Sequence, residues 1–153
     1  MDSCGRNGLS AIVPAVGVPE SQLSSRKPKI NALLICERVI REVETAQISL
    51  IGIFEQVSAP ELPITIPSLY VYAKMTDAQG TYVFKLELVR RDDAMVLGEA
   101  ELPPAVAPDP MSHNEVIFQL QGATFERAGF YDFRLWANDM FLDSKAFQVE
   151  QRV

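Results

Sequence analysis

The chain has 153 residues, 48% hydrophobic and 22% charged, which fits one domain with a substantial core. Twenty acids against fourteen bases give a net charge of −6, and no Lys/Arg run occurs, so neither nucleic acid nor an anionic membrane surface is expected as a partner. No apolar stretch reaches the roughly 18 residues of a membrane helix, the N-terminal LSAIVPAVGV lacks the strongly basic start of a signal peptide, and a cytoplasmic location is expected.

Residues 1–28 read as a flexible N-terminal tail, disordered on its own. Gly5, Gly8, Pro14, Gly17, Pro19 and Pro28 break any periodicity, and SQLSSRK is polar. Such a segment buries too little apolar surface to offset its ordering entropy. The apolar patch within it could dock on the domain, though no residue pattern requires this.

Residues 29–153 carry the strand signal: short runs rich in Val, Ile, Phe and Tyr, punctuated by turn residues. Eight runs are predicted, at 31–40, 46–57, 68–76, 80–90, 94–100, 114–121, 129–137 and 141–150. At most one helical turn is expected, in REVET (41–45). Alternation is clearest in three places. Tyr82, Phe84, Leu86 and Leu88 share a face opposite Thr81, Lys85 and Glu87. Val116, Phe118 and Leu120 share another, and Tyr131, Phe133, Leu135 and Ala137 a third. One buried and one wet face per strand is the antiparallel pattern.

Asp77-Ala78-Gln79-Gly80 is predicted to close a hairpin between the third and fourth runs. Arg91-Asp92-Asp93 closes the next, and Asn138-Asp139 a tight one between the last two. The proline-rich links SAPELPITIP (58–67) and LPPAVAPDPM (102–111) read as crossings between sheets, since proline cannot donate to a ladder. The fold class is all-β: an antiparallel β-sandwich of about eight strands, Ig-like or similar.

Three stretches carry a family resemblance. NALLICERVIREVETAQISLIGIFEQVSAPELP (31–63) resembles the opening of a family of small, uncharacterised bacterial domains of unknown function. LYVYAKMTDAQGTYVFKLELV (69–89) resembles its next hairpin, and GFYDFRLWANDMFLDSKAFQVEQ (129–151) its closing one. The likeness covers about residues 30–151. It implies a β-sandwich and supplies no activity and no catalytic residue. This chain departs by its longer N-terminal tail and by Asp139, where a glycine would ease the turn.

The chemistry-bearing residues are few. Cys4 and Cys36 form neither a disulfide framework nor a metal spacing, and both are expected as free thiols. Cys36, Glu37 and Arg38 are adjacent on a strand, so they alternate between faces and cannot converge on one atom. Cys36 reads as a core thiol, with a thiol-dependent enzyme as the weak alternative. His113 is the only histidine and sits in a loop, short of a zinc ligand set. Asp92, Asp93 and Asp109 are loop acids that could be asked to hold calcium, but they form no recognisable site. No phosphate loop, nucleophile elbow or HExxH occurs. No catalytic residue, cofactor or metal is assigned.

The aromatics are the best contact candidates. Trp136 and Phe130 fall opposite the Tyr131 face, and Tyr70 and Tyr72 opposite Val71, Ala73 and Met75. The reading is a non-catalytic interaction or accessory module, self-associating or binding an unknown protein through these four residues. A small-ligand or carbohydrate-binding domain using the same aromatics for stacking is the rival.

Overall fold

A computed structural model describes residues 19–152. Its strands are β1 (Lys29–Arg41), β2 (Ile48–Ile53), β3 (Gln56–Ala59), β4 (Ile64–Thr76), β5 (Gly80–Tyr82), β6 (Phe84–Arg90), β7 (Met95–Glu101), β8 (Ala105–Ala107), β9 (Asn114–Phe125), β10 (Gly129–Ala137) and β11 (Met140–Gln151). The first sheet has the order β2-β1-β4-β9 and the second β3-β11-β10-β6-β7, while β5 and β8 form a small ribbon at one end. The two large sheets bury their facing side chains: Leu33, Ile35, Leu69, Val71 and Phe118 from one, Leu86, Phe133, Leu135, Phe147 and Val149 from the other. This is the predicted all-β sandwich, antiparallel throughout the large sheets except for β3, which pairs parallel with β11.

Several boundaries differ from expectation. The run 46–57 is two strands. Phe54 turns inward, its ring edge-on to Phe147 at 5.6 Å, and the chain leaves the first sheet at β2 to enter the second at β3. The run 80–90 is interrupted at Val83, whose N–H is taken by the side chain of Asn138 at 2.8 Å. The link 58–67 is only partly a crossing: Ile64 to Pro67 already belong to β4. Pro67 falls between the paired Ile66–Ala123 and Ser68–Gln121, opposite Gly122, so β4 tolerates it. The link 102–111 contains β8, which pairs with β5. REVET forms the β1–β2 hairpin turn, where the Ala46 N–H donates to Glu42 O at 2.9 Å in a single i to i+4 turn and Ala46 takes φ 59°.

Asp77–Gly80 is not a hairpin. β4 pairs with β1 and β9, and the chain crosses here from the first sheet to the end ribbon. Arg91–Asp93 does close the β6–β7 hairpin. Its buried Arg90 guanidinium donates to both Asp93 carboxylate oxygens, at 3.0 and 2.7 Å, and that pairing holds the Asp93 carboxyl well below the usual carboxylate range. Asn138-Asp139 forms the tight β10–β11 turn, both residues at positive φ (49° and 65°).

Of the segment read as a tail, residues 1–18, with Cys4, lie outside the described residues. Residues 19–28 run along the end of the sandwich. Leu23 bridges Thr81, the Ser24 hydroxyl donates to Gln79 O at 2.6 Å, and the Tyr82 hydroxyl donates to Arg26 O at 2.8 Å. Among the described residues, no helix is long and apolar enough to cross a membrane.

At the start of β10, the buried Tyr131 hydroxyl donates to Arg127 O at 2.7 Å. A tyrosine bonding back four residues at the entry to an inner strand is the tyrosine corner of immunoglobulin-like sandwiches.

Candidate interaction surface

The four aromatics singled out from the sequence lie on two opposite sides of the molecule. Trp136 and Phe130 stand on the outer face of the second sheet. Tyr70 and Tyr72 stand on the outer face of the first, beside Cys36 and Leu34. They are not one patch.

Trp136 is half-buried and fixed. Its indole N–H donates to Glu87 Oε1 at 2.7 Å, and the Lys85 ammonium sits over its ring at 5.6 Å. Phe141, opposite it across the β10–β11 turn, packs edge-on at 5.4 Å and is itself exposed. Phe141 was missed in the sequence reading. Its signal was its place beside the Asn138-Asp139 turn, where the register puts it opposite Trp136. Phe130, 48% exposed, is six residues from Trp136 along the strand, about 20 Å at strand rise. It lies beneath the Arg91 guanidinium at 5.3 Å, which in turn pairs with Asp132 at 2.7 Å. Trp136 with Phe141 therefore forms one apolar spot, and Phe130 another.

Tyr72 is buried. Its hydroxyl bonds the Glu115 carboxylate, and burial, that hydrogen bond and the acid's charge all push the phenol's pKa up. Tyr70 is half-buried between Cys36 on β1 and Gln119 on β9. Neither tyrosine presents a free ring face like that of Phe141. The open apolar surface of the first sheet lies instead on β1 and β2, where Ile40, Ile51 and Ile53 are 45%, 36% and 51% exposed.

Cys36 is fully buried. Burial pushes its thiol pKa up, by more than the Arg38 backbone draws it down, and the Sγ lies 3.4 Å from Arg38 O. Glu37 points to the other face, across Gly52, where an added Cβ would meet the carboxyl carbon at 2.9 Å. Native protein at pH 8 is expected to react with iodoacetamide at Cys36 far more slowly than the same protein in urea. Equal rates, followed by mass spectrometry of the Cys36 peptide, would show an open thiol.

The remaining candidates are held by structure. Asp92 faces Arg90 at 3.5 Å and Arg127 at 3.6 Å. Asp109 accepts the Met111 and Ser112 N–H groups at 2.7 and 3.1 Å. His113 is exposed in the loop between β8 and β9. Among the described residues, no cluster of three or more His, Cys, Asp or Glu is placed to hold a metal. One cleft does open into the fold, between the edge strands β7 and β9. It measures about 250 Å³ and is lined mainly by Leu86, Leu88, Leu97, Ala100, Leu120 and Ala123.

Two packed sheets and a tyrosine corner define a β-sandwich domain. The chain belongs to the family of unknown function DUF6941, whose profile matches residues 31–150. No curated protein matches it in sequence. Among solved structures it is similar to a β-glucosidase from Listeria innocua in complex with glucose, at 13% identity and a TM-score of 0.43 over 84% of this chain. The chain spans 16% of that enzyme's length. It is also similar to an immunoglobulin-like protein from Pseudomonas aeruginosa, at 14% identity and a TM-score of 0.39, covering 81% of this chain and 97% of the other.

Proposed function

We propose that this domain is a non-catalytic interaction or accessory module that binds a protein partner through the outer face of its second sheet. The observation that carries the reading is the Trp136–Phe141 pair. Two large rings stand on the solvent side of rigid central strands, with Phe141 41% exposed. Trp136 is already oriented by Glu87 and Lys85, so a partner would meet a preset ring at little ordering cost. Aromatic anchors with a charged rim are the usual make-up of an interface centre.

The test is capture of partners from the protein's own cell lysate with wild type and Trp136→Arg in parallel. The substitution removes the ring from a solvent face, so the fold is expected to survive. A partner held by wild type and lost by the variant, with unchanged thermal unfolding, supports the reading. Equal capture by both would remove this surface from it.

The cleft between β7 and β9 favours a second reading, a site for a small apolar ligand. Its lining is mainly apolar, with Glu99, Gln121 and Thr124 as its polar side chains, whereas Trp136 and Phe141 offer ring faces for a sugar to stack on. A thermal-shift screen separates the two, since a ligand at a hundred times its Kd stabilises the fold by about 2.7 kcal/mol.

A further inference from the structure

We propose that β2 is a docking edge for a second copy of this chain, which adds its own β2 antiparallel and joins two four-stranded sheets into one of eight. This goes beyond the interaction-module reading, whose partner surface lies on the other sheet. The two large sheets end in four edge strands: β2, β9, β3 and β7. Proteins guard such edges with charge, proline, bulges or brevity, because an open edge is a template for another strand. Three of the four are guarded. β7 carries exposed Glu99 and Glu101. β9 carries Glu115 and is kinked at Gly122, φ 70°. β3 has four residues and runs into Pro60.

β2 shares only the kink, at Gly52, φ 70°. Ile48-Ser49-Leu50-Ile51-Gly52-Ile53 holds no charge and no proline, and among the described residues its only strand partner is β1. Ile51 and Ile53 are exposed on its outer face, with Ile40 alongside on β1.

A second copy fits this edge by shape and by charge. Residues opposite each other in an antiparallel pair share a face, so a two-fold axis at Ile51 keeps both outer faces continuous. That register sets Ile53 opposite the partner copy's Ser49 and Leu50 opposite its Gly52, large against small, while the two Ile51 side chains meet on the axis. The same strand thus supplies both halves of the fit, as an isologous interface requires. The chain as a whole stands at −6, but Ile48–Ile53 carries no charge, so this pairing sets no like charges directly opposite each other.

The test is sedimentation velocity on the full chain from about 1 to about 100 µM, for wild type, Ile51→Lys and Ser49→Lys. Hydrogen exchange on residues 48–53 is followed at both ends of the range. Wild type is expected to shift from monomer to dimer, with the β2 amides gaining protection as it does. Either lysine, at an exposed position, should weaken dimerisation by at least about tenfold and leave circular dichroism unchanged. A wild type that stays monomeric at the top of the range overturns the proposal. So does a dimer that persists in both variants with unprotected β2 amides, or β2 protection that appears only when a foreign partner is added. Lysate capture by Ile51→Lys keeps the two readings apart. Capture that still depends on Trp136 leaves the module reading standing when self-docking fails.

Discussion

Replacing Phe147 with alanine is expected to cost about 3–5 kcal/mol of folding free energy, enough to unfold much of a marginally stable domain. The ring is fully buried on β11 and is the hub of the aromatic core. Phe54 meets it at 5.6 Å, Phe125 at 5.4 Å and Phe133 at 5.9 Å. These partners come from the swing between β2 and β3, from β9 and from β10, so the ring ties both sheets to the segment that crosses between them. Alanine removes the transfer free energy of the ring and leaves a cavity walled by other rings that cannot collapse freely. Phe147→Leu, closer in volume, should cost less than half as much. Urea unfolding followed by the single tryptophan checks both. A loss under about 1 kcal/mol for the alanine variant would mean the core closes over the gap.

Asn138→Ala is expected to cost about 3 kcal/mol, although the side chain is only half-buried. Its Oδ1 accepts the Val83 N–H at 2.8 Å, and its Nδ2 donates to Ser24 O at 2.8 Å and Thr81 O at 3.0 Å. One amide therefore fills the break between β5 and β6 and fastens the 23–26 strap to the β10–β11 turn. Alanine leaves the Val83 N–H unpaired and places a Cβ residue at positive φ without a side chain that favours it. Asn138→Gly separates the two causes, because glycine accepts the backbone and loses only the amide contacts. If alanine and glycine prove equally destabilising, the hydrogen bonds dominate. If glycine is near wild type, the loss lies in the backbone and the strap is held by Tyr82 and Ser24 alone. Exchange of the Val83 and Ser24 amides gives the local readout.

The strand faces were legible where one side is buried. Leu86, Phe118 and Phe133 announce themselves by alternation, since a period of two is a local consequence of packing one face on a core. The partner of each strand was not legible. Asp77-Ala78-Gln79-Gly80 has the same turn chemistry whether the chain doubles back in its sheet or leaves it. Here the Asp77 N–H bonds Pro110 O, in a link more than thirty residues on. β8 was hidden between prolines, and its partner β5 lies more than twenty residues back.

The candidate surface was legible to the same depth. The shared outward face of Trp136 and Phe130 could be read from their spacing. That Tyr72 is buried depends on Glu115, 43 residues away. Phe141 was within reach of the sequence, because the two-residue turn at Asn138-Asp139 pairs Ala137 with Met140 and Trp136 with Phe141. ISLIGI was read as part of a strand, but its position at an edge is a property of the whole sheet. No window of sequence contains it.

The parallel pairing of β3 with β11 has a consequence for how the molecule is made. The first sheet draws only on residues 29–125, so a nascent chain can assemble it before the rest has been synthesised. The second sheet cannot: β11 is its second strand, holds β3 on one side and β10 on the other, and comes last of all the strands in chain order. Until residue 151 has left the ribosome, β3 has no strand to pair with, Phe54 lacks the Phe147 ring, and the inner face of the first sheet lacks the cover of β11. In that interval β2 is one uncharged edge among several exposed apolar surfaces, and the molecule is then at its most prone to aggregate.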